Sequence, residues 1–208
     1  MQSLNPDSKV LRFFSFLADL ILLSFFFVIS CIPIITVGPA MSALYGIFRD
    51  SNDHDSSILR RYWHQFRNHF RPSLICWSIQ ILLNALLLFD IYLLRYVDTS
   101  TSSTLLFFSC LLLLLLNLAG SLVYPQIASY KNSTLRYWTN AFLLLLGKFW
   151  LAIPNALLFV LPELLLLVWP QAYFFCLIVR IFFGIGIQFY FSSLIVQHLF
   201  QLVSHTER

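Results

Sequence analysis

Four ionisable residues, Asp19, Asp90, Glu163 and Arg180, stand inside apolar runs of this 208-residue chain. A charge held at mid-bilayer costs about 2.5–3.5 kcal/mol on insertion scales, so each wants an opposite charge or a wet cavity. Asp19 and Arg180 lie at matching depths in the first and last apolar runs, which predicts an interhelical ion pair. Asp90 and Glu163 fall near the ends of the second and fourth runs. Two readings follow: an outward-facing polar cavity that binds a solute, or one structural salt bridge plus carboxylates that reach the membrane surface.

Other chemistry-bearing groups point to packing. Asp53-His54-Asp55 with His64 and His69 contains metal-ligand types, yet the last two are five apart, a poor spacing for one helical face. Zinc wants a defined set of three or four ligands, so a solvated loop is expected and no metal. Cys31, Cys76, Cys110 and Cys176 each sit in an apolar run without C-x-x-C spacing and read as small buried hydrophobes. Gly184-x-Gly186 lacks the strand context of a nucleotide-binding turn and suits a close helix crossing. Ser24, Ser30 and Thr36 have no His-Asp arrangement near them, and no phosphate-binding loop is present. Gln80, Asn84, Asn117, Gln126, Asn155 and Gln188 are expected to hydrogen-bond between helices. No catalytic set and no cofactor site emerges, so the expectation is a protein that is not an enzyme.

The elements that must position these residues follow from composition. Hydrophobic residues make up 59% of the chain and charged residues 11%, with a mean hydropathy of +0.80. Soluble domains carry about 25% charge, and a soluble fold of this length lacks the interior to hide so much apolar surface. The composition excludes a soluble globular enzyme, a disordered chain, a coiled coil and a disulfide scaffold. The class is all-α: a polytopic membrane protein of about five spans, near 13–37, 73–94, 104–128, 141–168 and 172–203, in a single membrane domain over 1–208. The first run is too long for a signal peptide and is expected to stay in the mature protein.

Gly38-Pro39 is expected to break the first helix, with the short apolar stretch 40–48 continuing at the interface. A basic amphipathic helix over 49–71 should place Leu59, Tyr62, Trp63, Phe66 and Phe70 on one face, and Arg60, Arg61, His64, Arg67 and Arg71 on the other. A second amphipathic piece follows residue 133. Eight Lys/Arg fall on the side holding 49–71, 129–140 and the C-terminus, against three on the other, which predicts an outside N-terminus and a cytoplasmic C-terminus. The net charge of +4 then reads as a topology signal facing anionic lipid, and no nucleic-acid motif accompanies it.

An internal similarity organises the chain. Arg61-Tyr62-Trp63 and Arg136-Tyr137-Trp138 repeat at an offset of 75. Gly38 and Phe48-Arg49 correspond to Gly120 and Tyr130-Lys131 at an offset of 82, the difference of seven being an insertion at 51–57. Span, bend, basic helix and return span would form a parallel repeat, an arrangement common in transporters.

The stretch Ile32-Pro33-Ile34-Ile35-Thr36-Val37-Gly38-Pro39-Ala40, followed by Ala43-Leu44-Tyr45, resembles the hallmark of the YesL-like family of small bacterial membrane proteins, a domain of unknown function. The resemblance extends to length, span count and the Trp63-Phe66-Phe70 segment. It implies a multi-pass protein of the bacterial plasma membrane, in a family often encoded beside sugar-uptake ABC transporters, and it brings no catalytic residues. The function expected is therefore a non-enzymatic accessory or subunit of carbohydrate ABC uptake. Arg60, Arg61, Trp63, Arg67, Arg136 and Trp138 would contact the bilayer or an ABC permease or ATPase. The alternatives are a small-solute transporter with an outward-facing charged cavity and, second, an intramembrane enzyme.

Overall fold

The computed structural model describes residues 9–50, 57–96, 100–168 and 178–206, with the side chains of 9–12, 100, 101, 160–168, 183 and 203–206 outside the description. Seven α-helices follow in order among the described residues: α1 (Lys9–Ser30), α2 (Val37–Arg49), α3 (Ile58–Leu94), α4 (Ser100–Ser129), α5 (Thr134–Gly147), α6 (Phe149–Val168) and α7 (Ile185–Thr206). A 3₁₀ turn, Ile34–Thr36, precedes α2, and a π-helical turn, Arg180–Gly184, leads into α7. No strand occurs among the described residues.

Three helices are long and apolar enough to cross a bilayer, at Phe13–Ser30, Ile58–Leu94 and Ser102–Ser129, and a fourth crossing counts if the bent pair α5–α6 is one span. Their outward surfaces are oily: Phe107 is 66% exposed, and Leu82, Leu86, Phe89 and Leu112 also face outward. An apolar surface of that kind belongs in lipid.

The chain breaks earlier than Gly38-Pro39. α1 ends at Ser30, and the turn occupies 31–33. Thr36 fixes it through its hydroxyl, whose single hydrogen is shared between the carbonyls of Ser30 (2.5 Å) and Pro33 (2.7 Å). Gly38 and Pro39 instead lie in the first turn of α2, where proline is tolerated because its missing N–H has no intrahelical partner.

Nor is α2 interfacial. Ala40, Ala43 and Leu44 have no exposed surface, and α2 is a central helix of the bundle. It runs antiparallel to α3. A Cβ on Gly38 would stand 2.6 Å from Trp77 Cβ, Ser73 donates to Ser42 at 2.7 Å, and Arg61 donates to the Asp50 carbonyl at 2.7 Å. Small residues permit this close approach, and packing of this kind drives helix association in lipid.

The amphipathic segment and the second span form one unbroken helix, α3, of 37 residues with Pro72 inside it. At about 1.5 Å per residue α3 is roughly 55 Å long, against a hydrocarbon core of about 30 Å. A crossing therefore takes only about 20 of its residues, and the remainder of α3 projects beyond it. The expected fourth span, 141–168, is not a straight rod, since α5 and α6 meet at 108°. Lys148 leaves the helical region (φ −136°, ψ 43°) directly after Gly147, a residue about 1 kcal/mol worse than alanine within a helix. At the repeat offset of 75, Gly147 falls on Pro72. The same register thus carries a helix disruptor in both halves, absorbed in α3 and expressed as a bend after α5.

α3 and α4 pair antiparallel, with Gln80 against Gly120 and Tyr124, Asn84 against Asn117, and Asp90 against Ser109. α7 closes the bundle on α1. A Cβ on Gly186 would lie 2.6 Å from the Leu20 carbonyl oxygen, and the Gly186 N–H donates to Ser24 Oγ at 2.8 Å. This is the close crossing expected of Gly184-x-Gly186. Of the expected fifth span, 172–203, residues 172–177 lie outside the described residues, as does the turn at 169–171.

Candidate functional site

The two basic elbows meet at one end of the bundle. Arg49, the last residue of α2, donates to the carbonyl of Ala128 near the end of α4. That carbonyl is one of the four a helix C-terminus leaves without an intrahelical partner, and a guanidinium also complements the negative end of the helix dipole. Arg49 pairs with Asp50 at 3.0 Å, and Gln65 donates from Nε2 to the other Asp50 oxygen at 2.9 Å. His69 stands 3.0 Å from Gln65 Oε1, which can only accept, so Nε2 of His69 carries the proton. Burial pushes the His69 pKa below its ordinary value. The positive charges of Arg49, His64 and Lys131 push the same way, against Asp50.

The expected contact residues divide in two. Arg60, Trp63 and Arg67 form an exposed ridge on the first turns of α3, with His64 and Arg71 beside them, and Arg136 is exposed on α5. Trp63 is 55% exposed and stacks on Phe66 at 5.5 Å, the rings 11° from parallel. Leu59 also turns outward, so the apolar face comprises only Tyr62, Phe66 and Phe70. Arg61 is turned inward and closes the end of α2 through the Asp50 carbonyl. Trp138 is half-buried against the core around Tyr137 and Ala141. Tyr62 and Tyr137, equivalent in the repeat, are both buried at 2% exposure. Tyr137 pins the second elbow by donating to the Tyr130 carbonyl (2.8 Å) and accepting from Asn132 N (2.9 Å).

Of the intramembrane charges, Asp19, Asp90 and Arg180 are not among the residues that line the cavity between the helices. Asp90 accepts from Ser109 Oγ at 2.5 Å on the α3–α4 seam. Asp19 lies on α1 and Arg180 opens the π-helical turn; these two elements pack on each other, and both side chains are engaged. The side chain of Glu163 on α6 lies outside the described residues, as do Asp53, His54 and Asp55. Among the described residues no group of three or more His, Cys, Asp or Glu could hold a metal.

One cavity has no charged residue among its described lining. It measures about 420 Å³ and lies between α2, α3, α4, α6 and α7. Its walls are largely aromatic and aliphatic, including Trp77, Phe159 and Phe189, with Gln80, Asn117 and Ser121 as polar points. Behind the wall runs a directed chain of hydrogen bonds. Ser192 gives its single hydrogen to Asn155 Oδ1 at 2.5 Å, so in the 2.6 Å contact with Tyr45 the phenol is the donor. Asn155 Nδ2 passes the chain to Ser121 Oγ at 3.4 Å, which donates to the Leu118 carbonyl at 2.7 Å. Four helices are tied in this way. The amides at 80, 84, 117 and 155 do make the interhelical bonds expected of them. Tyr45, Ser121, Tyr124 and Ser192 carry no distinguishing sequence signal, because their partners are 34 to 147 residues away.

Residues 17–91, covering most of α1 and all of α2, together with α3 as far as Ile91, match the family described as "Protein of unknown function, DUF624". No curated protein and no solved structure matches the chain. The matched stretch holds the Ile32–Ala40 turn and the exposed ridge of α3, and it stops short of α4 and the second elbow.

Proposed function

We propose that this chain is a non-catalytic accessory protein of a carbohydrate ABC uptake system. It sits in a bacterial plasma membrane as a five-span bundle, with its N-terminus outside and both elbows in the cytoplasm. The observation that carries this reading is the convergence of the two basic elbows at one end, where Arg49 bonds the end of α4 and Arg60, Trp63, Arg67 and Arg136 stay exposed. Lys/Arg asymmetry favours the cytoplasm for that end. The resemblance to the YesL-like family supplies the link to sugar uptake, and that link is an analogy at family level. The exposed ridge supplies what a docking partner or anionic lipid would meet: guanidinium groups around one stacked indole.

The test is purification of the tagged chain in mild detergent without cross-linker. An ABC permease or its ATPase should co-elute, and a variant with Arg60→Glu, Arg67→Glu and Arg136→Glu should lose it while keeping its elution volume. Solute flux in vesicles holding only this protein, with no co-eluting subunit, would favour the transporter. Loss of an activity on changing one intramembrane carboxylate, without flux, would favour the intramembrane enzyme.

A further inference from the structure

The cavity between the helices, with no charged group among its described lining, has the features of a ligand site. Its volume of about 420 Å³ lies within the range of about 300–1,000 Å³ typical of small-molecule pockets. Among the described residues no Lys, Arg, Asp or Glu lines it, so a phosphate or carboxylate placed against these walls would be desolvated without a partner from them. One polar group is poised toward a guest. Gln80 accepts from Tyr124 through Oε1, while its Nε2 points at Gly120 and donates to no group among the described residues. A Cβ at Gly120 would collide with that amide, so the missing side chain is what leaves the donor room. The Tyr124 hydroxyl, having given its hydrogen to Gln80, keeps a lone pair that can accept.

The mouth decides where a guest comes from. Leu114 is 54% exposed and Asn117 is exposed at the rim, on a helix whose other exposed residues include Phe107, Phe108, Leu111 and Leu112. That surface faces hydrocarbon, so entry is lateral, from the bilayer. We propose that the cavity binds an uncharged single-chain amphiphile of the monoacylglycerol class. The acyl chain would lie against Trp77, Phe159 and Phe189, the ester carbonyl would accept from Gln80 Nε2, and a glycerol hydroxyl would donate to the Tyr124 oxygen.

Trp77 makes the test optical. A full-length variant keeping Trp77 alone, the other four tryptophans changed to Phe, is placed in phosphatidylglycerol nanodiscs and titrated with a monoacylglycerol brominated on its chain. Fluorescence quenching should saturate. Brominated phosphatidylglycerol at the same mole fraction should give only the shallow, non-saturating quenching of surrounding lipid. Gln80→Met should weaken the saturating phase by about fivefold, as expected for one lost hydrogen bond. Gly120→Leu, which fills the cavity, should abolish it. Should Gly120→Leu fail to fold, Gln80→Met together with Tyr124→Phe serves as the second variant and should weaken binding further than either change alone. Equal quenching by the phospholipid, or a saturating phase that survives these changes in folded protein, overturns the proposal.

Discussion

Tyr124 on α4 donates its phenolic hydrogen to Gln80 Oε1 on α3 at 2.6 Å, and both side chains are buried. The bond fixes the register of the two longest helices at their inner seam. Tyr124→Phe removes the donor and strands the amide oxygen. Interhelical bonds within membranes are worth about 0.6 kcal/mol on average and up to about 1.7, so a loss of about 1–2 kcal/mol is expected, read as a lower unfolding temperature in detergent. A double-mutant cycle with Gln80→Leu should return most of that loss as coupling energy, since the second change removes the stranded partner.

Two glycines make opposite forecasts. Gly186 abuts backbone, its missing Cβ falling 2.6 Å from the Leu20 carbonyl oxygen. Backbone cannot move aside like a flexible side chain, so Gly186→Ala should push α7 off α1 and lower the unfolding temperature by an amount matching about 1–3 kcal/mol of overpacking. Gly147 meets nothing within 4 Å. Gly147→Ala should leave stability unchanged or raise it by up to about 1 kcal/mol through helix propensity. Destabilisation at 147 equal to that at 186 would show that the α5–α6 bend requires glycine.

How far these features were legible beforehand depended on the range of the interaction. The three apolar helices and the inward turn of Tyr62 and Phe66 follow from composition and a 3.6-residue period. The position of α2 did not, because Ala40, Ala43 and Leu44 suit an interface as well as a core, and only contact with α3 decides between them. Proline is a poor guide here: Pro39, a breaker by residue type, falls in the first turn of α2, where it is tolerated. The bend that does occur, after Gly147, is set by a residue with few constraints of its own. The charges drew attention to Asp90, yet the cavity is walled by residues whose neutrality made them inconspicuous.

His69 gives the basic end a pH response of defined sign. Burial lowers its folded pKa, with Arg49, His64 and Lys131 adding to that and Asp50 opposing it. Between the folded value and the ordinary value near about 6.5, the unfolded chain binds more protons. Stability therefore rises with pH across that window and levels off above it. The unfolding temperature should fall as pH drops from 7 toward 5, and His69→Asn should remove part of the slope while leaving the carboxylate-driven fall at lower pH. An identical slope in the variant would mean that the His69–Gln65–Asp50 chain does not contribute.

The last forecast concerns Asp19 and Arg180, which lie on α1 and on the π-helical turn packed against it. If the two compensate each other, Asp19→Arg or Arg180→Asp alone places like charges in an apolar seam. With about 2.5–3.5 kcal/mol at stake for an uncompensated intramembrane charge, either change should sharply reduce folded protein, read as the monodisperse peak of a fluorescent fusion. The double swap restores opposite charges at the same two positions and should recover most of that peak. A double variant as poor as the worse single one would show that each residue answers to a different partner.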